Sequence, residues 1–321
     1  MRNGLWMVSV IVLAIASLFI GVESIQLTDL LQLNDRQQLV LLSTRFPRMI
    51  SLILAGATMS ISGLIMQHLT QNKFVSPTTS GTMDSARIGI LVAMLVFNDA
   101  SILQKTGIAF LFAVAGTFIF IGIVNRVRVK STMMIPLIGM MFGSIMGSIA
   151  TFLAYQYDLV QNVSSWLQGN FSLVSRGNYE LIYLAVPLMI VAYLYADYFT
   201  IAGLGKDMAT SIGVSYQVVQ FGGVLIVSLA TAVVILTVGS VPFLGIIIPN
   251  LVALMRGDHL KNTLLETALF GSAFLLVCDM ISRVVIAPYE VSVSLVVGII
   301  GSALFMYLLM RGESSHEAKK N

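Results

Sequence analysis

Two arginines three positions apart, in Arg45-Phe-Pro-Arg48, carry a type of chemistry that most of this chain lacks. Pro47 suits the first turn of a helix, and residues three apart on a helix share a face. Arg283, shortly before Pro288-Tyr-Glu290, is a third arginine in a similar setting. Two readings fit this charge. It is a basic patch that meets carboxylates of a docking protein, or it is a set of interfacial arginines that snorkel to water.

A second polar stretch is Gly203-Leu-Gly-Lys-Asp-Met-Ala-Thr-Ser-Ile-Gly213-Val-Ser-Tyr-Gln217, set between long apolar segments. Its glycines bracket a helical run from Lys206 to Ile212. So short a helix is marginal in water alone. It must pack against something, and another protein can be that something.

Other chemistry is missing. The single cysteine, Cys278, excludes an intrachain disulfide and a cysteine-based metal site. His68, His259 and His316 are far apart and form no ligand pattern. Gly203-Leu-Gly205-Lys206 lacks the earlier glycine of a Walker A loop, and Asp207 stands where Ser or Thr is needed. Neither H-E-x-x-H nor G-x-S-x-G occurs. The ionisable residues inside apolar segments reduce to Asp84, Arg87 and Asp279, whereas ion-driven carriers place acidic or histidine side chains at the midplane. A passive pathway driven by another subunit's chemistry remains, with no enzymatic activity and no cofactor of its own.

The elements that hold these residues are apolar. Hydrophobic residues make up 57% of the 321 positions and charged residues 10%, and the mean hydropathy is +0.91. This composition predicts an all-α, polytopic membrane protein. Its net charge of +3 belongs to loop lysines and arginines, not to a nucleic-acid-binding surface. Ten apolar segments are expected, at 5–22, 46–67, 77–97, 107–125, 133–154, 181–199, 218–240, 241–255, 264–286 and 291–310. The first reads as a retained anchor rather than a cleaved signal. The third, with Asp84 and Arg87, and the eighth, with Pro242 and Pro249, are irregular, which is tolerable only against protein or a water-filled cavity. Residues 1–311 form one transmembrane domain, and 312–321 are expected to be a disordered polar tail.

Lysine and arginine set the orientation. With both termini in the cytoplasm, eleven lie on the inner side and six on the outer. Arg126, Arg128 and Lys130 are the most decisive cluster. Residues 203–217 are then cytoplasmic, and Arg45, Arg48 and Arg283 face outward. On the fifth segment, Gly139, Gly143 and Gly147 recur every four residues with Ser144 beside them. This stripe allows close helix packing, or gives a smooth wall for a bulky substrate. Trp166 reads as an interfacial anchor.

The landmarks fall into one order: Arg45-x-Pro47-Arg48, Gly56-Ala57, Ser62-Gly63, Gln67, Asn72-x4-Pro77, Gly81, the glycine-bracketed stretch, Gly239-x-Val241-x-Phe243-Leu-Gly245-x-Ile-Ile248-Pro249, and Arg256-Gly-Asp258-His259. The chain thereby resembles the FecCD family of ABC-importer permeases, which carry iron–siderophores, haem and vitamin B12. The resemblance implies a ten-helix subunit, paired with a second permease subunit as a homo- or heterodimer. It implies two cytoplasmic ATPase subunits and an extracytoplasmic siderophore-binding protein. It implies docking of that protein at Arg45, Arg48 and Arg283. Coupling to the ATPases would fall to Gly205, Lys206, Asp207, Ala209, Ile212 and Gly213, with Ala209 and Ile212 facing the partner. Gly139, Gly143, Ser144 and Gly147 would line the pathway. Lys73, Asn250 and Ala253 depart from the family's pattern and receive no role. The stretch from Asn72 to Asp84 looks like the catecholate-siderophore branch, which includes petrobactin importers. Two other classes stay open: a secondary transporter of a small amphipathic solute, and a structural subunit of a membrane complex.

Overall fold

Proline, glycine and small residues decide how the apolar segments are realised. The structure, a computed structural model, describes residues 2–21, 34–97, 99–127, 134–257 and 259–317. Arg128, Lys130 and Asp258, used above for orientation and resemblance, lie outside the described residues. The helices are α1 (Arg2–Phe19), α2 (Asp35–Val40), α3 (Phe46–Thr70), α4 (Thr82–Val96), α5 (Ile102–Arg126), α6 (Met134–Gln156), α7 (Val160–Leu167), α8 (Ala185–Leu194), α9 (Ala196–Gly203), α10 (Lys206–Ser211), α11 (Tyr216–Val238), α12 (Leu244–Arg256), α13 (Leu260–Val284) and α14 (Val293–Glu317). Among the described residues there is no β-strand, only one parallel bridge between Gln168 and Ser240.

Each of the ten apolar segments carries helix. Among the described residues, five helices are long and apolar enough to cross a membrane, and a sixth crossing results if Glu180–Leu194 and Ala196–Gly203, bent by 59°, form one span. Gly4–Phe19, Leu244–Arg256 and Val293–Tyr307 are shorter apolar helices. The protein is thus an all-α, multi-pass membrane protein.

Three segments differ from simple spans. The third begins as a 3-10 turn, Pro77–Ser80, and Gly81 at φ 69° delays α4 until Thr82. The sixth breaks at Tyr195 between α8 and α9. In the eighth, α12 starts only after Phe243, a non-glycine at φ 61°. The tail expected from residue 312 keeps helical backbone through Glu317, the end of α14.

Helix α3 is the centre of the bundle and packs against α13, α11 and α12. In its apolar window 78% of residues are buried, against 28% in α6, which therefore lies at the periphery. Lipid offers no hydrophobic drive for helix association, so small residues set the crossings. A methyl group at Gly63 would sit 1.8 Å from the Gly245 carbonyl oxygen of α12, and one at Gly56 would sit 2.6 Å from that of Gly271 in α13. Neither position accepts a Cβ without moving backbone.

Pro249 inside α12 lacks the N–H that would bond the Gly245 carbonyl. Gln67 of α3 takes over: its Nε2 donates to Gly245 O at 3.2 Å and to Ile246 O at 3.3 Å. The irregular backbone is satisfied by a neighbouring helix, as burial in a membrane requires.

Candidate functional sites at the two ends of the bundle

The three arginines converge at one end of α3. A π-helical turn, Leu41–Arg45, leads into α3, and Pro47 occupies its first turn. Arg45 and Arg48 are almost fully buried, as is Arg283 near the end of α13. Arg45 Nη1 donates to the Leu18 carbonyl at 2.6 Å. Arg48 Nε donates to Asp279 Oδ1 at 2.9 Å, and its Nη1 to Glu290 Oε2 at 2.7 Å. Arg283 Nη2 donates to Asp279 Oδ2, and its Nη1 to the carbonyls of Ser17 (3.0 Å) and Ile20 (2.8 Å). Ser172 Oγ donates to the same Glu290 oxygen at 2.5 Å.

The charge that seemed to need a partner therefore has two within the chain. Asp279, wholly inaccessible, is clamped between two guanidiniums. Glu290 sits at the rim with a partly exposed side chain. Burial alone would raise the Glu290 carboxyl. The Ser172 hydrogen bond and the Arg48 charge outweigh it and hold the group below its usual 4.5. Arg48 Nη2 and Arg283 Nε, both buried, have no hydrogen-bond acceptor among the described residues; Arg48 Nη2 is 2.8 Å from Asp279 Oδ1 but not aligned with it. A cavity of about 240 Å³ opens beside them, lined by Thr44, Arg45, Arg48, Ser172, Arg283 and Glu290.

Sequence reasoning missed Glu290 and Ser172 and left Asp279 as an isolated intramembrane acid. The spacing of Asp279 and Arg283, four apart on a helix, was a usable signal. Trp166 lies elsewhere at this end and lines a larger cavity of about 430 Å³ together with Asn162, Gln168, Asn170 and Asn178.

The opposite end carries the glycine-bracketed stretch. Gly205 at φ 103° and Gly213 at φ 84° take conformations that L side chains avoid, and so turn the chain into and out of α10. Ala209 is fully buried, in the cluster that includes Leu69, Phe199 and Tyr216. It does not face outward as expected: the small side chain is what lets α10 settle onto its own bundle. The outward face of α10 carries Met208, with Ile212 four residues on at its C-cap, 52% and 58% exposed; Leu204, 61% exposed, lies before the Gly205 turn. Lys206, Asp207 and Gly213 are exposed beside them.

This end is tied to α3. Gln71 Nε2 donates to the Gly203 carbonyl at 3.2 Å, and Tyr216 Oη to that of Leu69 at 3.2 Å. The positions that depart from the family's pattern meet here. Asn250 Nδ2 donates to the Lys73 carbonyl at 2.7 Å. With Ala253, Gln67 and His68 these two line a cavity of about 220 Å³.

The stripe on α6 divides. Gly139 and Gly143 are buried and Gly147 is half-buried. A Cβ at Gly143 would lie 2.8 Å from Asp84 Oδ2, and one at Gly147 3.0 Å from Asp84 Oδ1. These glycines thus seat a carboxylate of α4 and face the interior of the subunit rather than an open wall. Ser144 is on the exposed face, its hydroxyl turned back to the Met140 carbonyl at 2.8 Å.

Comparison with known proteins places this architecture. The FecCD transport family matches residues 9–311. The chain is 54% identical over 301 residues to the petrobactin import system permease protein YclN of Bacillus subtilis, covering 94% of this chain and 95% of the other. It is 41% identical over 300 residues to the ferric-anguibactin transport system permease protein FatD of Vibrio anguillarum, covering 94% and 96%. The fold matches a solved metal-chelate type ABC transporter in an inward-facing conformation, with a TM-score of 0.86, 22% identity and coverage of 97% and 99%. Sequence, length and fold agree, and the chain belongs to the FecCD transport family.

Proposed function

We propose that this chain is a permease subunit of an ABC importer that carries an iron(III)–siderophore complex into the cytoplasm. A complex of the petrobactin or anguibactin kind is favoured by the relatives that share most of its length. It pairs with a second permease subunit. ATP is bound and hydrolysed on two cytoplasmic subunits, and an extracytoplasmic binding protein delivers the substrate. This chain supplies the pathway and performs no covalent chemistry.

One observation carries the reading: the two ends of the bundle are chemically opposite. One gathers buried guanidiniums with unfilled donors around a cavity, which suits acidic side chains of a docking protein. The other presents an apolar row on a short, glycine-bracketed helix, which suits a groove on an ATPase subunit. Of the residues expected to line the pathway, Ser144 lies on the exposed face of α6; that face, which also carries Met141 and Ser148, is assigned to the pathway in place of the buried Gly139 and Gly143.

The test is siderophore uptake by the reconstituted importer. Arg45→Glu combined with Arg48→Glu is expected to reduce uptake by roughly a hundredfold, because like charges would then oppose the binding protein at a cost of several kcal/mol. Permease content of the membranes is measured alongside. Uptake at the wild-type level from normally inserted double variant would refute docking at this end.

A further inference from the structure

Asp279 and Glu290 are not equivalent partners of Arg48. Asp279 is wholly inaccessible, on a helix, and bound by two arginines. It cannot leave without stranding both. Glu290 lies at the rim, in the short connection between α13 and α14, with its side chain 23% exposed. The side-chain contacts of its carboxylate are with Arg48 and with Ser172, itself exposed. The adjoining cavity of about 240 Å³ is several times the roughly 30 Å³ occupied by one water, ample for a carboxylate group.

Resting on the docking reading above, we propose that Glu290 is an internal counter-ion that caps Arg48 in the undocked permease and yields it to an acidic side chain of the docking protein. Exchange of one carboxylate for another at the same guanidinium avoids exposing a bare buried charge at any stage. It also lowers the apparent docking affinity, because the incoming carboxylate must compete with Glu290 for Arg48. A docking protein that must leave after each delivery benefits from such tuning. Arg283 Nε, buried beside the cavity without a hydrogen-bond acceptor among the described residues, is a further donor that Glu290 does not use.

The experiment measures binding of the substrate-loaded binding protein to the complete importer in nanodiscs, together with the binding-protein concentration that half-saturates uptake. Glu290→Gln is expected to tighten docking by about threefold or more and to lower the half-saturating concentration without lowering maximal uptake. Ser172→Ala, which loosens Glu290 but keeps its charge, should act in the same direction with smaller size, and carries the test if Glu290→Gln inserts poorly. Glu180→Gln removes a nearby exposed charge at the same end and should change docking by less than about twofold. Unchanged or weaker docking in the Glu290 and Ser172 variants, with Arg45→Glu, which leaves the arginine contacts of Asp279 and Glu290 in place, still abolishing it at equal permease content, overturns the exchange but leaves docking at this end intact. Equal tightening by Glu180→Gln also overturns it, since general charge would then explain the gain. Wild-type docking by Arg45→Glu refutes the docking reading itself.

Discussion

Asp279→Asn is expected to leave little folded permease in the membrane. Asp279 is wholly buried and is bonded to both Arg48 and Arg283. Neutralising it strands two buried guanidiniums, and breaking a buried pair from one side costs about 3–5 kcal/mol. Native proteins are stable by only about 5–15 kcal/mol, so the loss is a large fraction of the whole. Membrane yield and the thermal midpoint in detergent should both fall sharply. Replacing all three charges together, with Asp279→Leu, Arg48→Met and Arg283→Met, should restore much of the yield, because well-packed apolar side chains substitute for a buried ion cluster at little cost. The restored protein should still fail to bind the docking protein. Normal yield and midpoint for Asp279→Asn alone would show that the cluster does not hold α3 to α13.

The second large effect concerns the opposite end. Met208→Glu combined with Ile212→Glu should cut siderophore uptake by about a hundredfold while leaving permease abundance near wild type. Both side chains are more than half exposed, so the isolated subunit loses little. Each contributes about 1.5–3 kcal/mol if buried in a partner's groove, and a buried carboxylate there adds a further penalty. Co-purification of the ATPase subunits reports the loss directly. Ala209→Trp should behave in the opposite way and deplete the folded subunit itself, because Ala209 has no exposed surface. If Ala209→Trp spared abundance and the glutamates removed it, the assignment of inner and outer faces of α10 would be reversed.

What the sequence made legible follows from what periodicity and composition measure. Apolar run length reports the ten helical segments well, because lipid-exposed backbone must find its partners within the protein and a helix supplies them along its own segment. The irregular start of the eighth segment was legible from Pro242, whereas the third was read as irregular from Asp84 and Arg87 and its turn lies instead at Pro77 and Gly81. The break at Tyr195 carries no such residue beside it, and apolar character runs through it unmarked. The arginine end was half legible: Arg45, Arg48 and Arg283 stand out as charges, but Arg48 meets Asp279 across 231 positions and Glu290 across 242. No local pattern encodes such a meeting. Ala209 shows a subtler limit. Its place in a short amphipathic helix was clear, but which face turns inward depends on the glycine-set entry angle of α10. Lys73, Asn250 and Ala253, separate breaks in a family pattern, proved to be neighbours around one cavity.

Helix α3 runs unbroken from the arginine cavity to its C-cap, Gln71, the glutamine that holds residue 203. Its close crossing with α12, Gly63 on Gly245, is not at its middle. At about 1.5 Å per residue, roughly 22 Å of rod lies on the Arg48 side of that crossing and roughly 12 Å on the Gln71 side. With α13 strapped alongside through Gly56 and Gly271, the pair is a lever of unequal arms. If α12 is its fulcrum, a tilt that moves the Gln71 end by one ångström moves the arginine end by about two. Spin-label distances read at both ends during ATP turnover would give that ratio, and equal displacements would mean translation instead of tilt.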